Sequence, residues 1–136
     1  MFERVQGKPA HKAGALTELQ FFRAMQKRID STPPWFYRVQ RAKKSLDQQG
    51  IDAIALIEDI YRERIVVPVQ IKTSEYGKRQ YLKKHPLCRV FGVIVMVIPP
   101  SMSDFHICKY MYLELELARG RAHWYKELFR LLETDA

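Results

Sequence analysis

The sequence lacks the features that mark membrane, secreted and zinc-binding proteins. No apolar run reaches the length of about 18 residues that a transmembrane helix requires, and residues 1–12 are polar where a secretory signal would be apolar. The two cysteines, Cys88 and Cys108, lack CxxC spacing, and the four histidines form no HxxxH pattern. We therefore expect two free thiols and a cytoplasmic protein, with the nucleoid or an organelle matrix as other possible compartments.

Internal repeats and low-complexity tracts are also missing, so the pattern favours an ordinary globular domain. The chain has 136 residues, of which 47% are hydrophobic and 28% charged. This balance excludes intrinsic disorder, and the length fits a single domain with one sheet and a few covering helices. We expect one domain over 1–136, with a core at about 13–98 and a C-terminal extension at 99–136.

Acidic residues are outnumbered, which gives the chain a strongly basic character. Lys and Arg total 23 against 15 Asp and Glu, for a net charge of +8. Such a surplus favours polyanionic partners, because phosphate contacts release counterions. The charge by itself makes nucleic acid a candidate partner and says nothing about sequence specificity.

Hydrophobic periodicity predicts alternating helices and strands. After a mobile basic arm of about 12 residues, a helix is expected from Ala13 to about Asp30. A polar loop is expected at 43–50, and a turn at 61–63. The stretch from Phe105 to Leu117 fits either a strand, from its alternating apolar residues, or a helix capped by Asp104. The remaining elements are strands at 35–41, 52–60, 64–72 and 90–98, and helices at 75–84 and 122–133.

This order of elements predicts an α/β fold with a mixed sheet flanked by helices. In the first strand, Trp35, Tyr37 and Val39 should share one face. Short connections make the first three strands an antiparallel meander. The helix between the third and fourth strands is a crossover that allows those two strands to run parallel.

A hairpin of the second and third strands would gather three polar side chains. If the turn centres on Tyr61, the numbers of paired residues sum to about 122, so Asp52 faces Gln70. Strand alternation puts Lys72 on the same side as Gln70. A carboxylate, an amide oxygen and an ammonium then share one face, with the Ile71 carbonyl as a plausible neighbour. Oxygen ligands of this kind suit Mg²⁺, which lowers the pKa of bound water and polarises phosphate.

Simpler interpretations of the same residues remain open at this point. Asp52 could serve only the turn that begins the strand. Gln70 and Lys72 could be the polar face of an exposed strand. Glu18, in the first turns of a helix, could only complement the helix dipole. Ser74 could bind a phosphate or simply end the strand.

Taken together, Glu18, Gly50-Ile51-Asp52 and Gln70-Ile71-Lys72-Thr73-Ser74 resemble the PD-(D/E)XK nuclease superfamily. The chain is similar to archaeal Holliday-junction resolvases and to methyl-directed restriction endonucleases over about residues 13–98. The resemblance implies a restriction-endonuclease-like α-β-β-β-α-β core and cleavage of DNA, dependent on Mg²⁺ or Mn²⁺, to 5′-phosphate and 3′-hydroxyl ends. It implies Asp52 as principal metal ligand, Gln70 as second ligand in place of the usual acid, Lys72 as catalytic lysine and Glu18 as the helix-borne acid.

Basic residues flank this constellation and predict contacts to a DNA backbone. We expect a metal-dependent endonuclease that acts as a homodimer, since one small site cuts one strand. The alternative is a nucleic-acid-binding or assembly protein that kept the fold and lost catalysis, and a third hypothesis is a ribonuclease. The predicted DNA contacts are Arg41, Lys43, Lys44, Ser74, Lys78, Arg79, Lys83, Lys84, Arg119 and Arg121.

Overall fold

Helices and strands alternate along the chain in a computed structural model, which describes residues 2–27, 29–47, 50–88 and 92–121. In chain order the elements are α1 (Phe2–Gln26), β1 (Phe36–Arg41), α2 (Lys44–Asp47), β2 (Ala53–Glu58), β3 (Arg64–Lys72), α3 (Glu75–Lys84), β4 (Ile94–Val97) and α4 (Asp104–Arg121). No helix within the described residues is long and apolar enough to cross a membrane.

The four strands form one mixed sheet in the order β1-β2-β3-β4. β1, β2 and β3 are an antiparallel meander, and β4 runs parallel to β3 after the crossover through α3. The predicted α/β class, the meander and the parallel last pair are therefore confirmed. The predicted register also holds over the strands, since every pair from Ala53 with Val69 to Glu58 with Arg64 keeps the expected sum.

A tight turn sets that register. The carboxylate of Asp59 accepts hydrogen bonds of 2.8 Å from the backbone N–H groups of Tyr61 and Glu63. Arg62 takes a positive φ of 65° inside the turn. Pro68 pairs with Ile54 without a shift in the ladder, so the proline does not disturb the hairpin.

The core lies around β2 and β3. All of β2 from Ala53 to Ile57 and all of β3 from Ile65 to Ile71 are buried. Because successive strand residues point to opposite faces, both faces of these strands are covered. The helices α1 and α4 pack against each other and against the sheet, and supply buried apolar side chains such as Phe21, Ile107 and Leu115.

Three predictions about the first half of the chain are wrong. The helix begins at Phe2 rather than Ala13 and ends at Gln26 rather than Asp30, so residues 2–12 are helical and not an arm. Six of the eleven residues at 2–12 are strong helix formers. The loop at 43–50 contains the short helix α2, which buries Leu46.

A bulge changes the faces of β1. The register shifts between Phe36 and Arg38, and a bulge of this kind inserts one residue and interrupts strand alternation. As a result Phe36 is buried at 4% exposure while Tyr37 is 39% exposed. Tyr37 therefore does not share a buried face with Trp35 and Val39 as alternation predicted.

The ambiguous stretch at 105–117 is helical. Ser103, rather than Asp104, is the N-cap of α4, because its hydroxyl accepts from the N–H of His106. Met111 and Leu115 are buried while Leu113 and Leu117 are exposed, and this is the four-residue spacing of a helix face. β4 begins at Ile94, and residues 90–91 of the predicted strand and the predicted helix at 122–133 lie outside the described residues.

Candidate active site

Asp52 lies immediately before β2, at the point where three strands meet. Its N–H donates to the carbonyl of Val69 at 3.0 Å, and its carbonyl accepts from the N–H of Ala42 at 3.0 Å. Its side-chain Oδ2 accepts from the N–H of Ile71 at 2.8 Å. The regular ladder stops at Ala53, so Asp52 does not pair with Gln70 in the predicted register. Instead the Asp52 carboxylate accepts the hydrogen bond from the Ile71 N–H that a backbone carbonyl would accept in a regular ladder.

Glu18 reaches the same place from α1. Its neighbour Thr17 is 3% exposed, and the Thr17 hydroxyl lies 3.3 Å from the Thr73 hydroxyl at the end of β3. This contact fixes the second half of α1 against the sheet. The half-buried Glu18 then lies close enough to Asp52 for its negative charge to raise the pKa of the Asp52 carboxyl group. Glu18 thus belongs to the site and does more than complement a helix dipole.

The Asp52 carboxyl group has a raised pKa. Burial and, to a smaller extent, the negative charge of nearby Glu18 raise the pKa of Asp52 to about 7. The N–H of Ile71 and the ammonium of Lys72 act in the opposite direction. At neutral pH Asp52 is therefore only partly ionised, and a cation beside it would favour its charged form.

The side-chain oxygen Oε1 of Gln70 is a buried hydrogen-bond acceptor. The residue is 6% exposed, and its Oε1 has no hydrogen-bond partner among the described residues. A buried polar atom without a partner is expensive and calls for an explanation such as an ion. The N–H and C=O of one strand residue point the same way, so the Ile71 carbonyl faces the Asp52 side as well.

These donors fit a hard divalent cation. Asp52, Glu18 and Gln70 offer side-chain oxygens, and Ile71 adds a carbonyl oxygen. Mg²⁺ prefers oxygen ligands and keeps several waters, so it does not need a cage of protein groups. Within the described part of the chain, no group of three or more His, Cys, Asp or Glu side chains could hold a metal. The set is thus two acids and two neutral oxygens.

Lys72 extends from the end of β3 over an aromatic platform. Its Nζ lies 5.2 Å from the centroid of the Tyr81 ring, within cation–π range. Tyr81 is 5% exposed, and its ring packs at 4.6 Å on that of His85. Burial raises the pKa of Tyr81 to about 12, with Cys88 and Asp52 adding to the effect, so the phenol stays neutral.

The sequence analysis missed the pair of stacked rings of Tyr81 and His85. Lys72 lies over the Tyr81 ring, and the turn before Asp52 packs on both rings. Gly50 packs on both rings at a positive φ of 82°. The signal was present, since an i,i+4 aromatic pair on a helix shares one face. Only the crossover of α3 brings that face to Gly50, and no local pattern reports it.

Substituting Gly50 by alanine should destabilise the protein. A Cβ at this position would lie 2.9 Å from the Tyr81 ring and would occupy a left-handed backbone conformation that disfavours a side chain. We expect a loss of roughly 1–3 kcal/mol in the free energy of unfolding, measured by urea titration. Gly77→Ala is the matched control, because a Cβ there meets nothing closer than 3.5 Å and the residue is helical. It should be neutral or stabilising, and equal losses in both variants would contradict the packing described.

Of the DNA contacts predicted at α3, Ser74 caps the helix and only some of the lysines line a groove. The Ser74 hydroxyl accepts from the N–H of Gly77 at 3.1 Å, so Ser74 is the N-cap of α3. Lys83 and Lys84 line a groove of about 640 Å³ that begins at Lys72. The other predicted contacts on this helix, Lys78 and Arg79, do not line the groove.

The remaining basic residues lie at two ends of the sheet. Arg41 is beside the site, since its neighbour Ala42 bonds to Asp52, and its guanidinium stacks 4.3 Å from the Phe22 ring. Lys43 and Lys44 follow it and are exposed. Arg119 is at the other end of β2, where its guanidinium donates to the carbonyls of Glu58 and Asp59 and lies 4.7 Å from the Trp35 ring. The exposed Arg121, at the end of α4, follows it two residues later.

The structure therefore brings Glu18, Asp52, Gln70 and Lys72 to one end of the sheet, and it does not bring Arg119 there. Comparison with protein-family models, with curated proteins and with solved structures gave no match to this chain.

Proposed function

We propose that this protein is a Mg²⁺-dependent endonuclease that hydrolyses phosphodiester bonds in DNA, with a restriction-endonuclease-like fold of the PD-(D/E)XK type. The observation that carries the proposal is the Oε1 of buried Gln70, which has no hydrogen-bond partner among the described residues. Gln70 immediately precedes Ile71, whose N–H binds Asp52, and the charge of Glu18 acts on that same carboxyl group. A purely structural polar cluster would satisfy that atom internally. A cation at this point would satisfy it and would lower the repulsion between the acids.

The residues have distinct parts in this reaction. Asp52, Gln70 and Glu18 would hold Mg²⁺ or Mn²⁺, with Asp52 already oriented by the N–H of Ile71. Such a cation neutralises charge on the scissile phosphate and acidifies water. Lys72 carries its positive charge beside Asp52 and orients the attacking water or stabilises the charge that develops on the phosphate. The Tyr81 ring holds the ammonium in that position.

DNA would approach over the basic residues on either side of the metal site. Arg41, Lys43 and Lys44 are on one side, and Lys83 and Lys84 on the other. Phosphate contacts of this kind position a duplex without reading its sequence. Because one site cuts one strand, we propose a homodimer for cleavage of both strands.

A second candidate is a DNA-binding protein of the same fold without catalysis. Gln70 favours it, since an amide binds Mg²⁺ more weakly than a carboxylate, and the described residues offer only two acids at the site. The two candidates share the basic surface and differ in the use of Lys72.

Lys72→Met tests the choice between them. We expect wild-type protein to nick supercoiled plasmid or branched DNA in MgCl₂ and not in EDTA, and the variant to be slower by roughly 10²–10³-fold. The matched control is Lys109→Met, because Lys109 also lies over an aromatic ring, at 5.9 Å from Phe105, but on α4. The control should cleave like the wild type.

Two results would contradict the nuclease proposal. One is equal cleavage by wild type and Lys72→Met, which would point to a contaminating enzyme. The other is DNA binding by wild type without cleavage in Mg²⁺ or Mn²⁺, which would favour the second candidate.

A further inference from the structure

One face of α3 forms a wall of the groove that begins at Lys72. Lys72, Tyr76, Gly77, Gln80, Tyr81, Lys83 and Lys84 line this groove, whose volume is about 640 Å³. The α3 residues fall on one side of the helix by their spacing of three, four and seven residues. The groove is thus continuous with the candidate active site and is not a separate cavity.

The chemistry of the groove combines cationic and aromatic groups. Tyr76 is 64% exposed, although an aromatic side chain of this size is usually buried more. Lys83 is seven residues further on the same side, and Gln80 lies between them. A positively charged groove with an exposed aromatic side chain is the arrangement that proteins use for single-stranded nucleic acid.

A base can stack on a tyrosine ring only when its own face is free. In a continuous duplex the faces of all bases are covered by their neighbours, and a protein reaches only base edges and phosphates. An exposed aromatic ring in a groove beside the cleavage site would therefore be used by an unpaired nucleotide. The lysines complement its phosphates, and the amide of Gln80 can donate to or accept from a base edge.

We propose that this groove binds an unpaired DNA segment next to the scissile phosphate, with a base stacked on Tyr76 and phosphates on Lys83 and Lys84. This rests on the proposed function and specifies its substrate class, which is DNA with a single-stranded arm, as in a fork or a flap. The preference for DNA with an unpaired arm follows from the position of Lys72, which lines the groove together with Tyr76. A nucleotide stacked on Tyr76 places the strand that carries it beside Asp52 and Lys72.

Binding without metal tests the inference separately from cleavage. Full-length protein is titrated in EDTA with a forked DNA and with a continuous duplex of equal length, and 2-aminopurine in the unpaired arm reports stacking by loss of fluorescence. We expect the fork to bind about tenfold more tightly than the duplex and its fluorescence to be quenched. Tyr76→Leu should remove this preference, a loss of about tenfold in affinity for the fork, and also the quenching. Tyr76→Phe, which keeps the ring, should retain both.

Two further variants make the result specific. Tyr61→Leu is the matched control, because Tyr61 is 65% exposed but lies in the turn between β2 and β3. It should bind the fork like the wild type. Lys83→Gln should reduce the slope of log affinity against log salt by about one unit.

Equal affinity of wild type for fork and duplex would overturn the inference, as would unchanged fork binding and quenching by Tyr76→Leu. Either result is independent of cleavage. A protein that shows the stacking signal and cuts no DNA would confirm that the groove binds an unpaired segment and would refute the proposed nuclease.

Discussion

Asp52→Asn should give a protein that is more stable at pH 8 and inactive. In the unfolded chain this carboxyl titrates near its ordinary value of 3.8, and in the folded protein the pKa is about 7. Between these values the folded state holds a proton that the unfolded chain has released. Wild-type stability therefore falls as pH rises towards 7, and above that the full penalty of an ionised, half-buried Asp52 is present.

Asparagine removes this penalty and keeps the local contacts. Its Oδ1 can accept from the N–H of Ile71, and its neutral amide removes the repulsion with the Glu18 carboxylate. We expect a gain of about 2 kcal/mol at pH 8 after allowance for solvent screening of a half-buried group. The gain should shrink at pH 5 and vanish below about pH 3, where wild-type Asp52 is protonated in both states.

The activity of the same variant should fall by roughly 10³-fold, since loss of metal-assisted charge stabilisation removes several kcal/mol from the transition state. Urea titration at pH 5 and pH 8, with and without MgCl₂, measures stability, and plasmid nicking measures activity. Added Mg²⁺ should stabilise wild type more than the variant, by preferential binding to the folded state.

Asp30→Asn is the control, as Asp30 is exposed in the segment between α1 and β1. A variant that is less stable than wild type at pH 8 would refute the electrostatic description of the site.

Substitutions of Gln70 should change the stability of the metal-free protein and its affinity for Mg²⁺ in opposite directions. Gln70→Glu puts a carboxyl group at a position that is 6% exposed, one residue before the Ile71 N–H that binds Asp52. Without metal, we expect a loss of about 3 kcal/mol at pH 8, because a buried charge without a partner is costly. With MgCl₂ the loss should be largely reversed, and the affinity for Mg²⁺ should rise by roughly tenfold with the added ligand charge.

Gln70→Met should act in the opposite direction. It removes the unsatisfied Oε1 and fills similar volume with apolar atoms, so the metal-free protein should gain about 1 kcal/mol. It should also lose Mg²⁺-dependent stabilisation and cleavage. Calorimetric titration of Mg²⁺ and urea titration check both variants. If Gln70→Met binds Mg²⁺ and cleaves DNA like the wild type, Gln70 is not a ligand.

Local patterns were sufficient for much of the fold. Apolar alternation and the turn at 61–63 predicted the β2–β3 hairpin with its register, and the crossover through α3 predicted the parallel fourth strand. These features depend on residues near one another in the sequence. The bulge in β1 and the helical state of 105–117 were not predictable in this way, because packing against α1 and the sheet decides them.

The sequence by itself determined which residues could form a site: an aspartate before one strand, and Gln70 and Lys72 two apart on the next. It could not determine that Asp52 leaves the ladder and accepts from Ile71, or that Oε1 of Gln70 finds no hydrogen-bond partner among the described residues. Only the tertiary structure decided that Glu18 reaches Asp52 and that Tyr81 supports Lys72. The physical reason is distance along the chain: strand alternation relates neighbours, whereas these contacts depend on how α1 and α3 pack on the sheet.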